Sequence, residues 1–90
     1  MFVWDERKWL SNIERHGLDF TDATLVYDSP EKITVASPKL NEDRLMDMAM
    51  VKAAGTVLVL VYTMRGSDVR VISFRRASRA ERRFYEQAAS

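Results

Sequence analysis

Ninety residues, 47% of them hydrophobic and with a formal net charge of +1, suit one globular domain over 1–90, a size that buries somewhat over ~60% of its unfolded surface. The absence of cysteine excludes a disulfide framework and a thiolate metal site, and a lone histidine, His16, cannot make a zinc site of the usual kinds, so no metal and no cofactor is expected. The longest strongly apolar run, VLVLVY at 57–62, is far short of the ~20 residues that span a bilayer, and the opening MFVWDERK carries charge where an export signal needs an apolar stretch, so the expectation is a cytoplasmic chain with no membrane partner.

The elements follow in chain order. Phe2 to Trp4 read as a short first strand. Residues 5–17 read as a helix, with Asp5 as N-cap, Glu6 in the first turn, Trp9, Leu10 and Ile13 as the apolar stripe and Gly17 as the stop. A second, short helix is expected over 19–30: Phe20, Ala23 and Tyr27 recur at helical spacing, Asp19 or Thr21 can cap it, and Pro30 closes it. Four strands come next: KITVAS, stopping at Pro38; DRLMDMAMV, with Met46, Met48 and Met50 on one face; GTVLVLVYT; and DVRVISFR. Gly55 and RGSD at 65–68 are turn signals, which makes antiparallel hairpins the simplest connection. In ASRAERRFYEQA, Ser78 and Glu81 form a capping box, and Ala80, Phe84 and Ala88 mark the stripe of a final helix. The order is β-α-α-β-β-β-β-α, an α+β fold with a mostly antiparallel sheet. Residues 57–62 belong at its centre, because apolar side chains occupy both parities there.

The near-neutral charge hides an asymmetry. Between Arg65 and Arg83 lie seven arginines and no lysine, against only Asp68 and Glu81, so this stretch carries +5 and the rest of the chain −4. The planar five-donor fork of arginine matches phosphate and carboxylate oxygens, which points to a nucleic-acid backbone or an acidic partner surface. On the strand, alternation places Arg70 with Ile72 and Phe74 and puts Arg75 with Val69, Val71 and Ser73. Only a twist or bulge near Ser73 could bring the two arginines together.

Taken together, WDERKWLSNIERHGLDFTDA, VYDSP, EDR and VLVYTMRGSDVRVISFRRASRAERRFYE make the chain resemble the BrnT family of type II toxins. The features that carry the likeness are Trp4-Asp5, Lys8, Asn12, Arg15-His16-Gly17, Phe20, Ala23, Asp28, Arg44, the Thr63-x-Arg65 step, and the Arg70–Arg76 strand running into Ala77-Ser78-Arg79 and Glu81. The resemblance implies a RelE-like fold, ribonuclease activity that halts translation, and neutralisation by a BrnA-type antitoxin whose dimer binds DNA, so that this chain meets DNA only through its partner. It also implies two copies of each chain in the complex. Two departures stand out: Ala49-Met50 where relatives commonly carry Gly-Arg or a similar pair, which removes a possible phosphate ligand, and Phe74 where they often have alanine, which adds a ring beside the arginines.

RNA cleavage without metal needs a base for the 2′-hydroxyl, positive charge for the phosphorane and an acid for the 5′-oxygen. Arg70 and Arg75, on a rigid strand, are the candidates for holding the scissile phosphate, and Arg44 and Arg65 could complete the cradle. Arg76, Arg79 and Arg82 extend the candidate RNA-binding surface. His16, Tyr62, Tyr85 and Glu81 exhaust the acid–base candidates, and His16 is placed in the catalytic set. Each has a competing structural role: His16 as a helix C-terminal cap, Glu81 as the capping-box acceptor, Tyr62 and Tyr85 as core, Arg44 as an ion-pair partner of Asp28 or Glu42, and Arg79, Arg82 and Arg83 as a solvated helix face. Two function classes remain, a ribonuclease toxin and a non-catalytic module holding RNA or protein on the same arginines, and the resemblance decides for the toxin.

Overall fold

The structure is a computed structural model that describes residues 1–36 and 43–89. Its strands are β1 (Phe2–Val3), β2 (Ile33–Ala36), β3 (Arg44–Val51), β4 (Thr56–Arg65) and β5 (Asp68–Arg76), and its helices are α1 (Glu6–His16), α2 (Thr24–Tyr27) and α3 (Arg79–Ala89). The sheet order is β1-β5-β4-β3-β2. The expected α+β order holds, and β4 is central. Neighbours from β2 to β5 pair antiparallel, while β1 pairs parallel with β5, Phe2 opposite Val69 and Val3 opposite Arg70. Pro38 and Glu42 lie outside the described residues. No described helix is long and apolar enough to cross a membrane.

Because successive side chains of β4 point to opposite faces, the strand feeds two cores. Leu58, Leu60 and Tyr62 pack with Phe20, Ala23, Val26, Val71 and Phe74 on the face covered by α1 and α2. On the other face Val57, Val59 and Val61 pack with Met48 and Tyr85 under α3. Of the methionine row, Met48 is buried and Met46 packs partly, while Met50 is exposed at the end of β3.

The ends of α1 are those expected. Asp5 accepts the N–H groups of Arg7 and Lys8 at 2.8 and 3.4 Å, and Gly17 closes the helix at φ 68°, a left-handed conformation that costs glycine little. The expected stripe is displaced, however. Leu10 and Ile13 are 55% and 37% exposed, and the buried side chain is Asn12. Its amide bonds the Leu18 carbonyl and the backbone of Phe74, so the helix turns its Trp9, Asn12 and His16 row inward.

The second helical segment splits into a 3₁₀ turn over Phe20–Asp22 and the single turn of α2. Asp19 starts it by accepting Thr21 N–H at 2.9 Å and Trp9 Nε1–H at 2.8 Å, bonds that hold its carboxyl below the usual carboxylate range. Phe20, Ala23 and Val26 are the buried residues, and Tyr27 packs edge-on to Phe2 and Tyr62.

Helix α3 also departs from its expected orientation. The capping box forms: Ser78 N–H donates to Glu81 Oε1 at 2.8 Å, and Glu81 N–H to Ser78 Oγ at 3.1 Å. Yet Ala80 and Ala88 are exposed and Phe84 is 48% exposed, whereas Tyr85 is buried and donates its hydroxyl to the Glu31 carbonyl at 2.9 Å. Polar anchors at Glu81 and Tyr85, rather than the apolar row, set the rotation of this helix.

Candidate active site

The site is built on an irregularity in β5. Its register with β4 pairs Tyr62 with Val71 and then Val61 with Ser73, leaving Ile72 as an extra residue. A bulge of this kind puts two consecutive side chains on one face and inverts the parity of everything beyond it. Arg70, Ile72, Ser73 and Arg75 therefore share the α3 face, since Arg70 stands opposite Thr63 and Arg75 opposite Val59. Phe74 goes with Val69 and Val71 into the other core. The plain alternation read from sequence is corrected accordingly: the Phe74 ring is fully buried and adds to the core, not to the arginine surface.

Around the bulge lie two connected recesses. The first, about 460 Å³, is lined by Lys8, Arg44, Arg65 and Arg70, with Thr63 and Ile72 between them and Asp43 as its acidic residue. Neighbouring strands set this grouping, because Arg44, Thr63 and Arg70 face one another across β3, β4 and β5. Among the described residues none of the four cations has an ion-pair partner. The second recess, about 320 Å³, is lined by Arg7, Ser11, Asn12, Arg15, His16 and Ser73. Lys8 and Ile72 border both. A polyanion laid along this groove meets cations from α1, β3, β4 and β5.

His16 faces the second recess at the end of α1. Partial burial, then the charges of Arg15 and Arg75, hold its pKa below the ordinary 6.5, which favours the neutral imidazole at pH 7. Arg75 is engaged: its two terminal nitrogens meet Glu81 Oε1 and Oε2 at 2.7 and 2.9 Å. That fork raises the guanidinium pKa and, with the Ser78 N–H, drives the Glu81 pKa down to about 2. Arg76 points to the opposite face, where Nη1 donates to the His16 carbonyl at 3.1 Å and caps the last turn of α1. Arg79 and Arg82 are exposed on α3 and border neither recess. Thus Arg44, Arg65 and Arg70 come together, His16 and Arg75 lie beside them, and Arg76, Arg79 and Arg82 lie elsewhere. Tyr62 is buried with its hydroxyl on Asp47 at 3.0 Å, and burial, then the Asp47 charge, push its pKa up. Arg44 pairs with neither Asp28 nor any other described acid.

Sequence reasoning passed over two residues. Lys8, noted only as part of a resemblance, joins the two recesses; its place three residues into α1 carries no sign that β5 lies opposite. Asp47 is fully buried, accepting from Lys32 Nζ at 3.0 Å, Thr34 Oγ1 at 2.6 Å and Tyr62. Lys32 also stacks 4.2 Å from the centre of the Tyr27 ring. An acidic residue among methionines on an alternating strand gives no hint of those partners, which come from separate elements.

Three comparisons place the chain. A comparison with curated proteins finds no match. A crystal structure of the Brucella abortus ribonuclease toxin BrnT is similar at 30% identity, with a TM-score of 0.69, over 88% of this chain and 99% of that one. The family model described as the ribonuclease toxin BrnT of type II toxin–antitoxin systems matches residues 4–81. That span runs from the aromatic before the α1 cap to the carboxylate that chelates Arg75, and so takes in the groove with all four of its unpaired cations; the chain belongs to the BrnT family of ribonuclease toxins of type II toxin–antitoxin systems.

Proposed function

We propose that this chain, acting as one domain over 1–90, is an endoribonuclease that cuts RNA without a metal in the groove between α1 and the bulged end of β5. In this reading it halts translation in the cytoplasm, is neutralised by a BrnA-type antitoxin, and meets DNA only through that partner. One observation carries the proposal: Lys8, Arg44, Arg65 and Arg70 line a single open recess, and among the described residues no carboxylate pairs with any of them. An arrangement that costs self-repulsion and satisfies no internal acid is suited to an external polyanion.

The chemistry follows from where the groups stand. Arg70, held in β5 between β1 and β4, takes a non-bridging oxygen of the scissile phosphate, with Arg44 and Arg65 on its other side. Rigid placement lets these charges favour the dianionic phosphorane over the monoanionic ground state. His16, kept neutral by its surroundings, accepts the 2′-hydroxyl proton as that oxygen attacks phosphorus. The bond to the 5′-oxygen breaks, that oxygen leaves protonated, and a 2′,3′-cyclic phosphate remains. Arg75, already neutralised by Glu81, acts as a fixed charge beside His16 and does not hold the phosphate itself.

The test is induced expression of the wild-type chain with RNA integrity and protein synthesis followed together, then cleavage by the purified protein in EDTA. Growth arrest with fragmented RNA, and cleavage that survives EDTA, are expected. The rate should fall as pH drops through a value below 6.5, and His16→Gln should abolish that acid limb along with most of the activity. Intact RNA under full expression overturns the proposal.

A further inference from the structure

Helix α3 is amphipathic, but its apolar row faces away from the protein. Ala80, Phe84 and Ala88 recur at i, i+4 and i+8 and so form one row, while the buried contacts of the helix are made by Tyr85 and the Arg75–Glu81 fork on the neighbouring row. The row stays outward because both ends of that inward contact are fixed by hydrogen bonds: Glu81 to Arg75 and Ser78 at the start, and Tyr85 to the Glu31 carbonyl one turn later. Rotating the helix to bury Phe84 would break all of them. Phe84 is left 48% exposed, with two exposed alanines offering a flat approach on either side.

Charge selects what covers this row. Arg79 and Arg83, one turn apart, run along its solvent flank, both exposed and without a carboxylate partner among the described residues. The two acids of α3 do not offset them: Glu81 is committed to Arg75, and Glu86 lies on the far side of the helix from the row. A second copy of this helix would bring arginine against arginine, so self-association through it is disfavoured. Stacking of nucleotide bases would use one ring and leave the alanine row unfilled. A partner helix or strand with an apolar row flanked by carboxylates satisfies both rows at once.

We propose that the outer face of α3, centred on Phe84 and edged by Arg79 and Arg83, is the docking surface for a carboxylate-rich amphipathic segment of the antitoxin. This rests on the toxin–antitoxin reading above, but it concerns a surface separate from the groove. Phe84 is the anchor, and the arginines set orientation and on-rate, so the contact weakens with salt.

The experiment uses the full chain and, as probe, the product of the antitoxin reading frame adjoining it. Phe84→Ser and Arg83→Glu are each purified and measured for antitoxin affinity and for growth arrest on expression alone. Both substitutions are at exposed positions, so a melting curve matching the wild type is expected and confirms that each variant folds. The proposal expects the dissociation constant to rise at least tenfold for Phe84→Ser, a smaller salt-dependent rise for Arg83→Glu, and growth arrest that the antitoxin no longer relieves. Wild-type affinity in both variants overturns the docking face and leaves the toxin reading standing. Lost cleavage with unchanged antitoxin affinity reassigns the face to RNA and likewise overturns it. If the wild-type chain does not bind the antitoxin at all, the toxin–antitoxin reading itself fails, and this proposal with it.

Discussion

Asn12 and Phe74 are joined as a strand and its neighbour would be: the Asn12 side-chain amide donates to the Phe74 carbonyl at 2.7 Å, and the Phe74 N–H donates to Asn12 Oδ1 at 3.1 Å. β1 pairs with β5 only at Val69 and Arg70, so beyond the bulge the outer edge of β5 needs another partner. One helical side chain provides it and locks α1 against the strand that carries the candidate site.

Replacing Asn12 with alanine should cost roughly 2–3 kcal/mol, because it leaves a buried N–H and a buried C=O unsatisfied. Asn12→Asp should do little better, since a carboxylate accepts from the Phe74 N–H but repels its carbonyl. Urea unfolding midpoints of the two variants check this, and a midpoint for Asn12→Ala equal to wild type would show that water takes over both bonds.

The Arg75–Glu81 fork predicts an acid limb in stability. The folded-state pKa of Glu81, about 2, lies below its ordinary 4.5, so the unfolded chain binds the proton more readily. The contribution is fully present above pH 4.5 and disappears as pH falls from there towards 2. Unfolding curves across that window should flatten in Glu81→Gln relative to wild type, and identical slopes would argue that the fork contributes nothing to folding.

Asp47→Ala should be among the most damaging single changes, costing about 3–5 kcal/mol, because it strands a partly buried Lys32 and leaves the buried Tyr62 hydroxyl without its acceptor. The network lies on the α1–α2 face, across the sheet from the recesses. Cleavage per folded molecule should therefore match wild type at temperatures where the variant stays folded.

Arg70 and Arg76, close on one strand, should fail differently. Arg70→Gln is expected to lower cleavage about 100-fold or more with an unchanged melting temperature, and to reduce the salt slope of RNA binding by about 0.7 per lost phosphate contact. Arg76→Gln removes a cap at the end of α1 and should lower stability by about 0.5–1 kcal/mol while leaving cleavage near wild type. Melting curves and single-turnover rates on both variants separate the two roles.

Much of this is visible in the sequence, for identifiable reasons. β4 declares itself because its apolar residues fill both parities, and the ends of α1 because Asp5 and Gly17 act through local backbone chemistry. The gathering of Arg44, Arg65 and Arg70 follows once the hairpins are placed in order. What stays hidden depends on contacts distant in sequence. The rotation of α3 is decided by Arg75 and the Glu31 carbonyl, and that of α1 by Asn12, so hydrophobic spacing alone selects the wrong row in both. Conflicting arginine parities point to the bulge, but which core then receives Phe74 is settled only by the pairing of β5 with β4.

The parallel pairing of β1 with β5 sets a timetable. Phe2 and Val3 leave the ribosome first, yet their partners Val69 and Arg70 are made only near the end of synthesis. Until then the hairpin of β3 and β4 can form, but the strand bearing Arg70 is missing and α1 has no edge to lock onto. Closure over so long a separation is also slow compared with hairpin formation. An incomplete nascent chain therefore cannot assemble the cationic groove, and full-length chains acquire it late, which leaves an interval after synthesis in which a partner can meet the protein before its most highly charged surface is complete.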